Sequence, residues 1–450
     1  MWVLVIACAC SSDGESGSAP DTDGSIGSRD EGGADGRAGD LHDGGLRGEA
    51  GVGGTRRQFC GGGGTVVPEE ACLAVRTFRY ALCSCRDLVS SHPIRTDSFN
   101  STRGAYMPPG EPGGALGVNG GINMTSALDV GGALWCAGAE GITTSNDVRV
   151  AGELRSQGRL AGARYEVGGD ADVGDSISVQ GLRVDGTLTQ PEGADFTAVE
   201  ASVTAQASSA VNVEAPCACA PGAGVDVAAT IEEGRAFVDN DDAGLNADAF
   251  RNVSEVVEQT LPCGRYLING LLGSGGITFR VEGRVVLFVY GDISLNSGLV
   301  FELGTNDAEI DVFVSGNVNV AGDLRLGSID APRRSRMYVG GEGTINLTAG
   351  ATLAGNIFAP NAGLVTAGNV ELYGSMLAQR VSAAGAIDVH FDTGILDESG
   401  ECRDPEDPCE SCADCANQAC NEGVCGACEN DADCCSPLIC NDGICLPFVI

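Results

Sequence analysis

The sequence predicts a mainly β protein: a parallel β-helix or β-solenoid in two runs, with short capping helices and a small disulfide-rich C-terminal module. The chain has 68 glycines in 450 residues, aromatic residues make up only 5%, and short apolar–polar alternations separate the glycines. Glycine adopts the positive φ of tight corners, and alternation over a few residues indicates half-buried strands. Stacked short strands around a thin core of small aliphatic side chains fit these features.

Composition divides the chain into seven predicted segments. They are 1–10 (signal or lipobox remnant), 11–58 (disordered Gly, Ser and Asp linker), 59–140 (cysteine-bearing N-terminal capping region), 141–215 (first β-solenoid run), 216–263 (helical insertion with cysteines), 264–398 (second β-solenoid run) and 399–450 (cysteine-rich module).

The first residues, MWVLVIACACSSDG, form a short apolar run that ends at cysteine. Val5 to Cys8 resemble a bacterial lipobox, which implies lipidation of Cys8. No basic residue precedes the run, which departs from the usual signal pattern. Ala9 stands where many lipoproteins retained at the inner membrane carry aspartate, so the expected location is the outer membrane, reached through a lipid anchor and facing the surface. A plain cleaved signal, with a periplasmic or secreted product, is the alternative.

The charge and the cysteines restrict the function classes. The formal net charge is −36, and all 26 basic residues are arginine. Such an acidic surface repels phosphate backbones, which excludes nucleic acid as an expected partner. Without lysine the chain has no Walker lysine and no Schiff-base chemistry. The 21 cysteines predict disulfides formed in an oxidising compartment, so the cell envelope is the expected location.

Two helices are predicted beside the solenoid runs. Pro68 suits a first helical position, and apolar spacing continues a helix from Val67 to Leu82. Asn246 suits the N-cap of a second helix over Ala247–Thr260, which Pro262 would end. An end of a solenoid exposes unpaired backbone groups, so we expect this second helix to cover one.

The repeats are clearest in two stretches. The first begins near Gly141, and the second includes IDVFVSGNVNVAGDLRLG, in which Gly316, Gly322 and Gly327 stand at corner spacing. Residues 263–396 resemble an uncharacterised β-solenoid domain of bacterial surface and pilus-associated proteins, through the phrases GNIFAPNA and HFDTGIL. Residues 78 onward resemble cysteine-bearing secreted proteins of myxobacterial type. This resemblance implies fold and envelope location and no activity.

Disulfides are predicted for nearly all cysteines. The tail carries eleven, in two related units that each close with C-N-x-G-x-C, and a segment so small needs such bridges to fold. Zinc-ribbon spacing of the Cys-x-x-Cys pairs is the alternative. Because eleven is odd, one tail cysteine is expected to be free or bonded outside the module. The disulfide candidates are Cys60, Cys72, Cys83, Cys85, Cys136, Cys217, Cys219, Cys263, Cys402, Cys409, Cys412, Cys415, Cys420, Cys425, Cys428, Cys434, Cys435, Cys440 and Cys445.

Histidine and arginine offer few catalytic candidates. Only His42, His92 and His390 occur, so a Ser-His-Asp triad or a multi-histidine metal site is not expected. His390 and Asp392 lie two apart on a predicted strand and share a face. We expect a hydrogen-bonded pair that closes the last rung; acid–base chemistry is the alternative. The arginines at 333, 334 and 336 are expected to solubilise a loop, with contact to an anionic glycan as the alternative.

No cofactor is expected, and one acidic stretch outside the tail is a weak candidate for calcium. The stretch DNDDAGLNAD crowds carboxylates into a loop and departs from the EF-hand pattern at its fifth and twelfth positions. A solvated acidic turn is the expected reading, with calcium binding as the alternative. The candidate ligands are Asp239, Asp241, Asp242 and Asp248.

The function predicted from these features is a non-enzymatic cell-surface lipoprotein, with the solenoid as an adhesive or scaffolding surface. Surface glycans or other envelope proteins are the expected partners beyond the membrane. A carbohydrate-active β-helix enzyme is one alternative, and the scarcity of aromatic residues counts against it. A pilus or envelope assembly subunit is the other; predicted caps at both ends count against it.

Overall fold

The computed structural model describes residue 60, residues 77–220, 224–347 and 351–397, and four short strands between 419 and 447. The fold is mainly β and the solenoid strands pair in parallel, as predicted. The first run contains fourteen strands: β1 Leu82–Ser84, β2 Leu88–Ser90, β3 Ile94–Phe99, β4 Leu116–Val118, β5 Ile122–Met124, β6 Leu128–Val130, β7 Leu134–Cys136, β8 Ile142–Thr144, β9 Val148–Val150, β10 Leu154–Ser156, β11 Leu160–Val167, β12 Ala171–Val173, β13 Ile177–Gln190 and β14 Phe196–Ser208.

The second run and the tail supply the remaining strands. The second run comprises β15 Val257–Ile268, β16 Leu271–Gly273, β17 Ile277–Val289, β18 Ile293–Leu295, β19 Leu299–Leu303, β20 Glu309–Val314, β21 Val318–Val320, β22 Leu324–Leu326, β23 Ser335–Val339, β24 Thr344–Leu347, β25 Ala351–Thr366, β26 Val370–Ala383 and β27 Ile387–Asp392. The tail contains two antiparallel hairpins, β28 Ala419–Asn421 with β29 Val424–Gly426, and β30 Leu438–Asn441 with β31 Ile444–Pro447.

The described helices are short. They are α1 Val227–Gly234, α2 Asn240–Ala243 and α3 Gly394–Asp397, with 3₁₀ turns at Arg235–Phe237 and Pro332–Arg334. No helix in the described ranges is long and apolar enough to cross a membrane.

Each rung buries alternate residues against the rungs above and below it. Leu116, Leu134 and Leu154 lie in register on β4, β7 and β10, and all three are fully buried. Glycine makes the corners possible. At Gly162, φ is +120° and a Cβ would collide with the carbonyl oxygen of Thr144, so another residue there would push two rungs apart.

The two predicted runs form one continuous stack. The strand β26 pairs in parallel with β1 and β2, and β27 pairs with β3. The last rung of the second run therefore lies directly on the first rung of the first run. We call this junction the seam. The chain enters the stack at its middle, winds to the end at β14, and reaches the opposite end at β15 before winding back to the seam.

Three local predictions are wrong. The first run begins at Leu82, ahead of the predicted start at Gly141. The strands between them have mostly three residues, so each shows only a single alternation that is easily overlooked. Leu82 opens β1, so the helix predicted from Val67 does not extend to Leu82. Residues 67–76 of that prediction lie outside the described residues. The predicted helix over Ala247–Thr260 is also absent, since β15 already begins at Val257 and continues through Pro262 to Ile268. In a stack of parallel strands the apolar residues at helical spacing serve as core residues instead.

Residues 209–256, which we call the return segment, connect β14 to β15. The outward side chains beneath part of this segment form an aromatic column, in which the ring centroids of Phe313 and Tyr338 are 4.7 Å apart. The helix α1 lies over the column, and its Gly234 is so close to Phe288 that a Cβ would collide with the ring. Asp226 caps α1 by accepting a hydrogen bond from the backbone of Ala229. The helix α1 thus covers an apolar face of the solenoid that would otherwise be exposed to water.

Disulfides fix the return segment and the chain start. Cys83 of β1 bonds to Cys217 of the return segment, and Cys85, directly after β1, bonds to Cys219. Cys60–Cys263 joins residue 60 to β15. The suggestion that Cys136 completes this set is wrong. It is a free, buried thiol on β7, and burial raises its pKa to about 11. The hairpins place Cys420 opposite Cys425 and Cys440 opposite Cys445 in the backbone register. The bonding of the tail cysteines and Cys72 lies outside the described residues.

Candidate functional site

A cluster of five ionisable side chains lies across the seam. Register places Tyr373 of β26 beside His390 of β27, and His390 beside Asp97 of β3. Three consecutive rungs therefore present these side chains side by side, although Asp97 and His390 are 293 residues apart in sequence. We call Asp97, Tyr106, Glu371, Tyr373 and His390 the seam cluster.

Hydrogen bonds connect all five side chains. The His390 Nδ1 atom lies 2.7 Å from Asp97 Oδ1, and Nε2 lies 3.4 Å from Glu371 Oε1. The Tyr106 hydroxyl donates to Asp97 Oδ2 at 2.7 Å, and the Tyr373 hydroxyl donates to Glu371 Oε1 at 2.9 Å. Each carboxylate thus receives a tyrosine hydroxyl and faces one imidazole nitrogen.

The loop after β3 brings Tyr106 to the cluster. Ser98 and Glu111 form a pair of backbone hydrogen bonds of 3.0 and 2.7 Å that close this loop on the rung. The Tyr106 ring packs 4.0 Å from the His390 ring, and the Tyr373 ring packs 4.8 Å from it on another side. The histidine side chain is consequently only 11% exposed, whereas Glu371 is 49% exposed.

The environment shifts the proton affinities of the cluster. Burial alone lowers the pKa of His390, but the hydrogen bond and charge of Asp97, with those of Glu371, outweigh burial and raise it above its ordinary value. Burial and the bond to Glu371 raise the pKa of Tyr373 to about 12. Burial and the bond to Asp97 also raise the Tyr106 pKa. The tyrosines therefore remain neutral donors while the histidine is stabilised as a cation.

This arrangement favours a structural role, in which charged groups hold neighbouring rungs together, over an acid–base site. Both imidazole nitrogens face carboxylates of the cluster itself, so a reacting group would have to displace a bonded partner. The tyrosine pKa values move away from neutrality, the opposite of what proton transfer near pH 7 requires. Among the described residues, no three His, Cys, Asp or Glu side chains are grouped to hold a metal ion. The cluster instead joins the first rung of one run to the last rung of the other.

The predicted pairing of His390 with Asp392 is wrong. Asp392 is fully buried, and its carboxylate accepts backbone hydrogen bonds from Ser101, Arg333 and Gly394 at 2.9, 3.1 and 3.0 Å. Residues two apart on a strand share a face, but their side chains lie roughly 7 Å apart along it. The neighbouring rung offers Asp97 at a closer distance, and the backbone around β27 satisfies Asp392.

The expectation of a solubilising arginine loop is wrong for Arg336. Its guanidinium is buried and donates to both carboxylate oxygens of Asp311, one of them at 3.0 Å, and to Glu309 at 3.0 Å. Arg336 and Asp311 are register partners on β23 and β20. The next position in the same column is Asn356, which donates to the carbonyl of Pro332 and accepts from Ser375. A chain of satisfied polar groups thus runs along one corner of the stack.

Outward residues near the seam alternate in charge from rung to rung. In register order they are Asp388, Arg95, Asp129, Arg149, Glu166 and Arg183. The pairs Asp388–Arg95 and Arg149–Glu166 are 3.2 and 3.4 Å apart. Because these side chains are half exposed, each pair adds little stability. From β27 to β13 a slip of one rung would bring like charges together, so the alternation favours the observed stacking of these rungs. Glu371 on β26 stands in register with Asp388 and lies outside the alternation.

The calcium candidates do not share a centre in the described residues. The Asp239 carboxylate accepts the backbone N–H of Arg265 at 2.8 Å, where it holds the return segment against β15. Asp248 accepts the side-chain amide of Asn269 at 3.0 Å. Both carboxylates therefore act in local structure. Cys8 lies outside the described residues.

Sequence reasoning missed four members of the seam cluster, namely Asp97, Tyr106, Glu371 and Tyr373. The only local signal was His390 within the HFD phrase. Its partners come from a rung 293 residues away and from a loop, so no spacing along the chain could indicate them. Knowledge that β27 stacks on β3 would have been the required signal.

The seam cluster predicts a pH dependence of stability. Because the folded-state pKa of His390 is raised, its contribution is fully present below the unfolded value of about 6.5 and is lost as pH rises through the folded value. We expect His390→Gln to lower the melting temperature more at about pH 5.5 than at about pH 9. Thermal unfolding across that range measures the effect.

His92→Gln is the matched control. His92 is an exposed histidine whose ring bonds only to neighbouring Ser91, at 3.0 Å. Its replacement is expected to leave the pH profile of the melting temperature as in the wild type. Equal losses for His390→Gln at both ends of the range would contradict a role for the imidazolium.

Comparison with known proteins gives one family match. Residues 220–398 match the family model of a domain of unknown function, DUF7305. The matched segment contains residues 263–396, on which the resemblance to a β-solenoid domain rests. A crystal structure of an ice-binding protein from an Antarctic bacterium, Flavobacteriaceae, is similar at 12% identity and a TM-score of 0.20, covering 71% of this chain and 97% of that chain. No curated protein matches the sequence. None of these findings assigns an activity.

Proposed function

We propose that this protein is a non-enzymatic scaffold of the cell envelope, anchored to the outer membrane through Cys8. The observation that carries the proposal is the seam cluster, in which five ionisable side chains are bonded to one another and join the two halves of one stack. A scaffold requires a stack that does not separate at its junction. The seam cluster, the two disulfides of β1 and the return segment all act at or across that junction.

Grooves on the solenoid support the same proposal over an enzymatic one. The groove beside β22 is lined by Asp323, Arg325 and Thr352, and Arg325 is bonded to Asp323 at 3.2 Å. A second groove contains Arg164 and Glu200, which pair at 2.9 Å. Glycoside cleavage needs two carboxyl groups flanking the substrate, and in these grooves carboxylates are paired with arginine. Release of reducing ends from a panel of bacterial polysaccharides by the purified protein would overturn the proposal.

The envelope location is tested by protease treatment of intact cells, with detection by an antibody to the C-terminal module. For the wild type we expect digestion of the module and retention of the rest in the membrane fraction. Cys8→Ala is expected to abolish membrane retention, while Cys10→Ala serves as the control and is expected to retain it. A module that is digested only after the outer membrane is broken would contradict surface exposure and favour a periplasmic scaffold. The proposed function extends to adhesion to surface glycans, and binding of glycans by the same cells tests it.

A further inference from the structure

The strand β14 ends the stack without a cover among the described residues. It pairs in parallel with β13, and nearly all of its residues are exposed. Val199 is 82% exposed and Phe196 is 40% exposed. This corrects the expectation of caps at both ends of the solenoid. An exposed strand edge of this length is a template for pairing with another strand.

The outer backbone groups of β14 have a defined orientation. In earlier rungs the carbonyls of Val130 and Val150 accept hydrogen bonds from the following rung, each at 2.9 Å. Val203 occupies the same column, since Val150, Val167, Val184 and Val203 lie in successive register. The carbonyl of Val203 therefore points to the open end. Successive residues of a strand direct their backbone groups to opposite sides. Ala201 and Val203, whose side chains face the core, therefore direct their backbone groups to the open end, while Ser202 directs its groups back to β13.

The edge is complementary to itself. If a second copy is related by a two-fold axis at Ser202, the two β14 strands run antiparallel. Ala201 then lies opposite Val203 of the second copy, and Ala198 opposite Gln206. These residues occupy core-facing columns in the register with β13, so core-facing positions meet core-facing positions on all three sides of the rung. The open backbone groups then meet as hydrogen-bonded pairs.

Charge also permits this contact. Glu200 is the only charged residue of β14, and Arg164 binds it at 2.9 Å. In the two-fold arrangement Glu200 lies opposite Thr204, so like charges do not face each other. The strand contains no proline, lysine or arginine, the residues with which monomeric proteins usually protect an edge.

The return segment covers two sides of the rung at the opposite end of the stack. The side chain of Asn240 bonds to both the N–H and the carbonyl of Leu267 at 2.8 and 2.7 Å. The carbonyls of Phe250 and Val253 accept from Leu272 and Gly275 at 2.8 and 2.9 Å. A two-fold contact uses the same β14 edge of both copies, so association through it closes at two copies and leaves the partly covered ends outward.

We propose that two copies of this chain associate end to end through β14, in a two-fold antiparallel pairing centred on Ser202. The pairing joins two stacks and buries the exposed ends of both cores. It rests on the strand edge itself and holds wherever the protein is located.

Directed cross-linking tests the register with the full chain. Ser202 would face its own copy as a non-hydrogen-bonded pair, with a Cα separation of about 4.5 Å, which lies within disulfide range. We expect Ser202→Cys to give a covalent dimer of twice 45.6 kDa under mild oxidation, beyond any formed by the wild type. Thr197→Cys is the control on the same exposed strand, because Thr197 lies opposite Ala207 of the second copy, and we expect no added cross-link. Equal cross-linking by both variants, or by neither, would overturn the proposal.

Proline substitution tests the contact without a new cysteine. Ala201 directs its N–H to the open end, so Ala201→Pro removes a donor that the rung stack does not use. We expect wild-type protein to have the mass of a dimer in light scattering, and Ala201→Pro to shift the dissociation constant at least about tenfold toward monomer with an unchanged circular dichroism spectrum. A wild-type monomer at all concentrations, or a variant that is folded and equally dimeric, would overturn the proposal.

Discussion

Removing both disulfides between β1 and the return segment is expected to lower the free energy of unfolding by about 7 kcal/mol, and removing either one by only about 2 kcal/mol. Cys83–Cys217 and Cys85–Cys219 each close 134 residues of chain. The first bridge to form restricts that long loop. The second then closes a ring of about six residues, which restricts the unfolded chain much less.

The test compares three variants in urea. They are Cys83→Ala with Cys217→Ala, Cys85→Ala with Cys219→Ala, and all four replacements together. We expect the loss in the fourfold variant to exceed the sum of the two separate losses, because in either pair variant the remaining bridge still closes the long loop. A loss of about 7 kcal/mol is comparable to the whole stability of many domains, so the fourfold variant is expected to unfold near room temperature. Additive losses would show that local packing around the sulfurs, and not loop closure, is the source of stability.

The inner columns of the solenoid could be predicted from sequence because their signal is local. In VNVAGDLRL, for example, Val318, Val320, Leu324 and Leu326 alternate about a corner, and all four are buried. Such a phrase contains both the strand and the corner. What it does not contain is the identity of the rung above or below. The stacking of β27 on β3, the seam cluster and the single continuous stack all depend on that identity.

Outward positions show the same limit in another form. Arg336 stands in a run of arginines that is typical of a solvated loop, yet it is buried beside Asp311. Phe288 lies in a long apolar strand, yet its ring faces outward beneath Gly234 of the return segment. The outer face of a rung is apolar where another segment of the chain packs over it and polar where it contacts water. The sequence of the rung does not say where a segment many residues away will lie.

The buried ion pair at the corner of the stack carries the other large prediction. Asp311→Asn is expected to lower the free energy of unfolding by about 3 kcal/mol or more, because the guanidinium of Arg336 would remain charged in a buried site. Burial lowers the pKa of Arg336, but Asp311 and Glu309 outweigh burial and raise it well above its ordinary value. Asp311→Asn removes the main cause of this rise, but the ordinary pKa of arginine already lies far above neutrality. The guanidinium therefore cannot relieve the loss by releasing a proton.

Two comparisons separate this cause from a general effect of losing a carboxylate. Asp323→Asn breaks the contact with Arg325, in which both side chains are more than half exposed, and is expected to change stability by less than about 1 kcal/mol. Replacing the buried pair together, with Asp311→Leu and Arg336→Met, is expected to recover most of the stability lost in Asp311→Asn, since no fully buried charge is then left without its partner. Glu309 also loses Arg336, but its side chain is 32% exposed and can be solvated. Urea unfolding of the three variants measures this order. A double variant less stable than Asp311→Asn would mean that the pair itself, through its bonds along the polar column to the 3₁₀ turn, stabilises the corner beyond what apolar packing can replace.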